Sequence, residues 1–250
     1  MIKSCYIDGI PSERDNFPEG VYVYQPIMTF GHRALHLDSY LALLREASLD
    51  TLHSDRVPDI APTAQLISDF LRRNGYPATM PAHVELRIYR SGEIVLLGGE
   101  VSPYPQVGLR LLMPSGTDIE YDLPFSEHHT SSRRAAAEIA QIEAEAHEAR
   151  VAIRIDSNGF VCSADDAEIF IVREYSITTP QTPRSVEGRM LAKAIHRAGM
   201  SLLTEPISRE MLDSADEIFY IDHRGITALG SFNGKPLMHI LAEKIAKYLE

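Results

Sequence analysis

The densest run of chemically versatile side chains is Glu127-His128-His129, with Arg133 and Arg134 close behind. A carboxylate beside two imidazoles can pass protons near neutral pH, and paired guanidiniums can hold an anion. The same residues also suit a polar junction whose histidines are exposed or hydrogen-bonded. Arg133 and Arg134 fall in the first turn of a predicted helix, where the helix dipole disfavours cations, a placement that favours an anion or carboxylate nearby. Lysine is confined to Lys3, Lys193, Lys235, Lys244 and Lys247, so the long stretch between Lys3 and Lys193 offers no amine for a Schiff base. His32 and His36 have the spacing with which a helix presents two imidazoles to zinc, but Gly31 predicts a turn there and a third ligand is lacking. No metal site is expected. Tyr22 and Tyr24, on one face of a predicted strand, suit either a ligand or the core.

These residues need elements to position them. Alternating patterns predict strands at 4–8 and 20–25, and apolar residues at helical spacing predict a helix over 37–52. Pro58 and Pro62 mark a break, and a second helix is expected from Thr63 to Asn74-Gly75. A hairpin follows over 84–97, turning at Ser91-Gly92. A strand is expected at 107–113, and the Pro-, Gly- and Asp-containing segment after it reads as the crossing between two lobes. The expected organisation is an N-terminal lobe over 1–115, a connection over 116–130 and a C-terminal lobe over 131–250. In the latter, the Ala- and Glu-rich stretch 131–149 predicts a helix with Ile139, Ile142 and small alanines facing inward. A hairpin around Asp156-Ser157-Asn158-Gly159, strands at 168–172, 176–178, 217–221 and 225–229, and helices at 185–198, 208–212 and 238–249 complete it. Asp156 to Gly159 opens like a calcium loop, but the downstream spacing fails and the segment is a turn. The class is α+β with two lobes.

With 250 residues, 44% of them hydrophobic, the chain can bury a sizeable core. Lys and Arg number 24 against 35 Asp and Glu, and the formal charge of −11 would repel a phosphate backbone, so nucleic acid is not an expected partner. No stretch approaches the roughly 20 apolar residues of a membrane span, and no apolar signal core opens the chain, which sets the expectation of a cytoplasmic protein without a membrane partner. Cys5 and Cys162 are far apart and fit neither a disulfide framework nor a zinc motif.

Several phrases carry a family resemblance. They are Ala152-Ile153-Arg154-Ile155-Asp156 running to Asn158-Gly159-Phe160-Val161, then Glu168 to Val172, Ile177-Thr178-Thr179-Pro180, the helix from Arg189 to Gly199, and Ala215-Asp216-Glu217-Ile218-Phe219. Their order and spacing resemble the class IV aminotransferases, fold type IV of the pyridoxal-phosphate enzymes, which include the branched-chain and D-amino acid aminotransferases and aminodeoxychorismate lyase. The resemblance implies a two-lobed D-amino acid aminotransferase-like fold, a homodimer, and a cleft lysine holding pyridoxal phosphate. That lysine falls within His128-His129-Thr130-Ser131. The family's glutamate that pairs with the pyridine nitrogen falls at Ser163, and its later asparagine at Glu168. Its phosphate-binding Gly-Ile-Thr-Arg turn becomes Val186-Glu187-Gly188-Arg189, its first-lobe arginine falls at Leu43, and its threonine-containing loop becomes Asp222-His223-Arg224. Carried over, His128, His129 and Ser163 are the cleft candidates, Gly188, Arg189, Arg133 and Tyr24 the candidate ligand or anion contacts, and no cofactor is expected. The implied role is a small-molecule-binding, regulatory or scaffold relative that takes a small carboxylate or amino acid. The alternative is a pyridoxal-phosphate aminotransferase or aminodeoxychorismate-lyase-like enzyme with a displaced lysine. Lys193 is its nearest candidate, one turn after Arg189 and so on the phosphate side.

Overall fold

The computed structural model of the chain describes residues 4–13, 17–102, 108–110, 113–123 and 127–249. It divides into two units, one of Met1–Gln106 with Phe125–Arg133, the other of Val107–Pro124 with Arg134–Glu250. In place of one connection over 116–130, the chain enters the second unit, returns to the first and leaves it again.

In the first unit β1 (Ser4–Ile7), β2 (Ile10–Glu13), β3 (Tyr22–Phe30), β4 (Arg33–Ala34), β5 (Ala82–Tyr89) and β6 (Ile94–Val101) form an antiparallel sheet in the order β2-β1-β6-β5-β3-β4. The helix expected over 37–52 is α1 (Leu37–Ala47) followed by a π-helical turn, Ser48–Leu52. α2 (Ile60–Arg73) starts three residues earlier than Thr63. Pro62 is tolerated because it lies in the first turn, where amides have no partner within the helix. Register places Tyr6, Leu86 and Leu96 on one face of the sheet, where the Tyr6 ring meets Phe70 of α2 edge-on at 5.2 Å. Side-chain alternation sends Tyr22, Tyr24, Glu85, Arg87 and Tyr89 to the other face.

The second unit holds two sheets. The first comprises β8 (Ser115–Glu120), β9 (Val151–Ile155), β10 (Val161–Ala164), β16 (Ser231–Phe232) and β17 (Lys235–Pro236), in the order β10-β9-β8-β16-β17. The second comprises β7 (Leu109–Arg110), β11 (Glu168–Arg173), β12 (Ser176–Thr179), β13 (Leu202–Thr204), β14 (Glu217–Asp222) and β15 (Gly225–Ala228), in the order β13-β12-β11-β14-β15-β7. Of the strand expected at 107–113, residues 107, 111 and 112 lie outside the described residues, and the rest includes β7 paired with β15. Residues 115–120, expected in the crossing from its Pro, Gly and Asp content, form β8. Parallel pairing with both β9 and β16 makes it a strand, tertiary contacts overriding local preference.

The run Ile169-Phe170-Ile171-Val172 is buried on both sides. Ile169 and Ile171 pack with Ile153, Ile155 and Ile218, while Phe170 and Val172 pack with Leu191, Ile195 and Ile245 of α4 (Val186–Arg197) and α6 (Ile240–Ala246), between which the chain forms the short α5 (Arg209–Asp213). α3 (Ser131–Ala146) buries alanines, as expected, but departs from expectation in its isoleucines: Ile139 and Ile142 are 68% and 66% exposed. Its inward face is Ala140 and Ala144, which meet Ala149 and Ala152, so small side chains allow the close approach.

Candidate functional site

The candidate residues separate into two groups, Tyr24, His128, His129 and Arg133 in the first unit and Ser163, Gly188 and Arg189 in the second. In the first unit, residues 129–130 run beside β3. Tyr24 N donates to the His129 carbonyl at 3.0 Å, Thr130 bridges Val23, and the His129 and Tyr24 rings stack at 5.1 Å. Tyr24 is buried, with its ring against that of His129. Thr130 Oγ1 accepts from Arg133 N at 3.2 Å, capping the start of α3. His128 turns to α1 and its π-helical extension, where Nε2 lies 2.9 Å from Asp50 Oδ2. Arg87, which sequence reasoning missed, lies on the face that carries Tyr22. Its guanidinium stands 4.7 Å from the Tyr22 ring centroid, and its Nε 2.6 Å from Glu85 Oε1. Burial alone would lower the Arg87 pKa, but the Glu85 carboxylate and Tyr89 outweigh it and hold the guanidinium above its ordinary value. The polar alternation Glu85-Leu86-Arg87 in a predicted strand was the available signal.

His32 and His36 do not form a helical ligand pair. Both have left-handed backbones (φ 60° and 49°), His36 precedes α1, and His32 Nε2 is engaged with the Tyr76 carbonyl.

In the second unit, α4 is capped by Ser185, whose Oγ accepts from Gly188 N at 2.9 Å. The donors just ahead of the helix converge on one side chain. Glu168 Oε1 accepts from Arg184 N at 2.7 Å and Ser185 N at 3.0 Å, and Ser185 Oγ donates to Glu168 Oε2 at 2.9 Å. A Cβ added at Gly188 would land on the Glu168 carboxylate, so the glycine is what allows it to lie against the first turn. Backbone amides at a helix start favour an anion, and the protein's own carboxylate meets that preference. Arg189 and Lys193 are exposed, and Glu187 is buried in the same first turn.

Ser163 is buried, and its Oγ donates to the Asp165 carbonyl at 3.1 Å. Asp165 was not anticipated. Its Oδ1 accepts from Ala152 N at 2.9 Å, yet burial dominates and pushes its carboxyl up to about 6, with Arg224 opposing. Asp222, on β14, goes the other way: burial would raise it, but His223 and Arg224, the latter bonded to it directly, hold it below its ordinary value. Tyr220 is pushed up to about 12, chiefly by burial and the neighbouring Asp222.

The family model for amino-transferase class IV matches residues 22–222. The chain belongs to the class IV aminotransferase family. Among solved structures, the branched-chain aminotransferase of Thermoproteus uzoniensis with norvaline is similar at TM-score 0.78 and 18% identity, covering 98% of this chain and 93% of that one. The Escherichia coli branched-chain amino acid aminotransferase gives 0.77 at 15% identity, covering 98% and 92%. A Brucella abortus aminotransferase bound to the cofactor PLP gives 0.77 at 17%, covering 98% and 96%. These likenesses establish the mixed α+β fold of the type IV aminotransferases over nearly the full length. No curated protein sequence gives a significant match. No helix among the described residues is long and apolar enough to cross a membrane.

Proposed function

We propose that this class IV aminotransferase relative has given up pyridoxal-phosphate chemistry and acts as a small-molecule-binding, regulatory or scaffold protein that self-associates as a homodimer. The observation that carries the reading is Glu168. By the resemblance, the start of α4 is where the cofactor phosphate would sit, and there the Glu168 carboxylate already accepts from Arg184 N, Ser185 N and Ser185 Oγ. Two like charges about 4 Å apart repel by about 4 kcal/mol at an effective dielectric near 20, so a phosphate would have to displace this carboxylate. The residues present do not fit the cofactor at its other contacts either. His128-His129-Thr130-Ser131 contains no amine, and Ser163, spent on the Asp165 carbonyl, cannot hold a pyridine nitrogen protonated. Lys193, the nearest displaced candidate, is an exposed residue of α4.

The ligand class that suits the remaining groups is a small carboxylate or amino acid, with the Tyr22, Tyr24 and Arg87 face supplying rings and a guanidinium. Equilibrium dialysis against pyridoxal phosphate, with pyridoxal in parallel, tests the loss of the cofactor. The reading requires no saturable binding that depends on the phosphate group. Stoichiometric binding competed by free phosphate would overturn it. Thermal stabilisation by a panel of amino and keto acids then tests the ligand class.

A further inference from the structure

We propose that Glu46, Asp50 and His128 form a binding site for a divalent transition-metal ion such as zinc, independently of the role assigned to the second unit. One ligand atom from each of the three residues lies within 4.8 Å of those of the others. The site is not a surface patch of acids. Its imidazole comes from a segment 78 residues from Asp50 in sequence, and Nε2 already faces the carboxylate at 2.9 Å. Glu46 stands on the last turn of α1 and Asp50 in the π-helical turn that follows, so both carboxylates leave one continuous helical run on the same side. π turns inside helices recur at functional sites.

Both arms of the site are fastened to the same strand. α1 and the π turn pack on β3, and on the other side His129 and Thr130 are joined to β3 through Tyr24 N and Val23. The ligands therefore stand on fixed elements, as a metal centre needs. Two ligands each about 2.1 Å from one tetrahedral ion stand about 3.4 Å apart, a spacing that small rotamer changes of the exposed Glu46 and Asp50 would reach from the present one. Two carboxylates and one imidazole carry a net negative charge whether or not the imidazole is protonated, which a divalent cation complements. One nitrogen and two oxygens suit zinc or another late first-row ion over calcium or magnesium, and three protein ligands leave a position for water. Binding would replace the His128–Asp50 contact with bonds from both side chains to the ion.

The test is calorimetry with Zn²⁺ alone on chelator-treated full-length protein, with Co²⁺ as an optical probe of coordination. The proposal requires one Zn²⁺ per chain, a visible Co²⁺ band of tetrahedral type, and affinity at least about tenfold weaker in each of Glu46→Gln, Asp50→Asn and His128→Gln. Glu46 and Asp50 are exposed, so their near-isosteric variants should keep the fold, which circular dichroism checks. Glu243→Gln, at the separate His239–Glu243 pair, should leave binding unchanged. No Zn²⁺ uptake, or uptake equal in wild type and all three site variants, would overturn the proposal.

Discussion

Replacing Glu168 by alanine is the most informative perturbation of the second unit. It deletes the acceptor for three donors, Arg184 N at 2.7 Å, Ser185 N at 3.0 Å and Ser185 Oγ at 2.9 Å. Hydrogen bonds to a charged group contribute roughly 1.5–3 kcal/mol each, but Arg184 is exposed and water can take up part of the loss. The three bonds share one side chain and do not add, so the expected cost is about 2–4 kcal/mol. For a chain of this size that is a fall of roughly 5–12 °C in melting temperature. The vacated amides should then accept an external anion. If they bind inorganic phosphate with Kd of about 1 mM, then about 10 mM phosphate returns about 1.4 kcal/mol. Differential scanning fluorimetry of wild type and Glu168→Ala, with phosphate and with chloride at matched ionic strength, reads both effects. Glu168→Gln, which keeps one acceptor oxygen, should fall between them. A variant as stable as wild type, or phosphate stabilisation equal in both, would refute the reasoning.

Three other perturbations test separate steps. Asp165 has a folded value of about 6 against 3.8, so the native state binds the extra proton and stability should fall as pH rises from about 4 to about 6, by up to about 3 kcal/mol. Asp165→Asn, which keeps an acceptor for Ala152 N, should flatten that slope and raise stability at pH 7, as followed by urea denaturation across pH. Arg87→Ala should cost about 3 kcal/mol or more, because it leaves the half-buried Glu85 without its 2.6 Å partner, and the double variant with Glu85→Ala should recover part of the loss in a mutant cycle. Ile139→Gln and Ile142→Gln should change monomer stability by less than about 0.5 kcal/mol, since both side chains are exposed on α3. Reduced self-association in these two variants, measured by analytical ultracentrifugation, would place α3 in a contact between copies.

Much of the fold was legible because its strands and helices carry strong periods. Ile169 to Val172, apolar at every position, marks the strand expected at 168–172, and α1 shows its stripe at Leu37, Leu41 and Leu44. What the sequence withheld was set by partners distant along the chain. β8 has poor strand propensity and becomes a strand through β9 and β16. In α3 the alanines were legible as inward-facing, but the isoleucines were not: the close approach to Ala149 and Ala152 takes Ala140 and Ala144 and leaves Ile139 and Ile142 outside. The site divides the same way. His128, His129, Ser163 and Gly188 stand as candidates on residue type and resemblance. The meeting of His128 with Asp50 and Glu46 depends on where residues 127–130 return to β3, which no local pattern encodes. Glu168 was visible only as a departure from the family's asparagine, and its role emerges from the three donors around it.

Borohydride trapping tests the central claim most directly. The protein is incubated with excess pyridoxal phosphate, its absorbance spectrum recorded, and intact mass measured after reduction and dialysis, with peptide mapping of any adduct. Loss of pyridoxal-phosphate chemistry predicts an unchanged protein spectrum and no stoichiometric adduct, with at most scattered labelling of exposed lysines such as Lys193 and Lys244. A stable near-ultraviolet to violet band with a single reduced adduct on one lysine would contradict the account and identify a displaced Schiff-base residue.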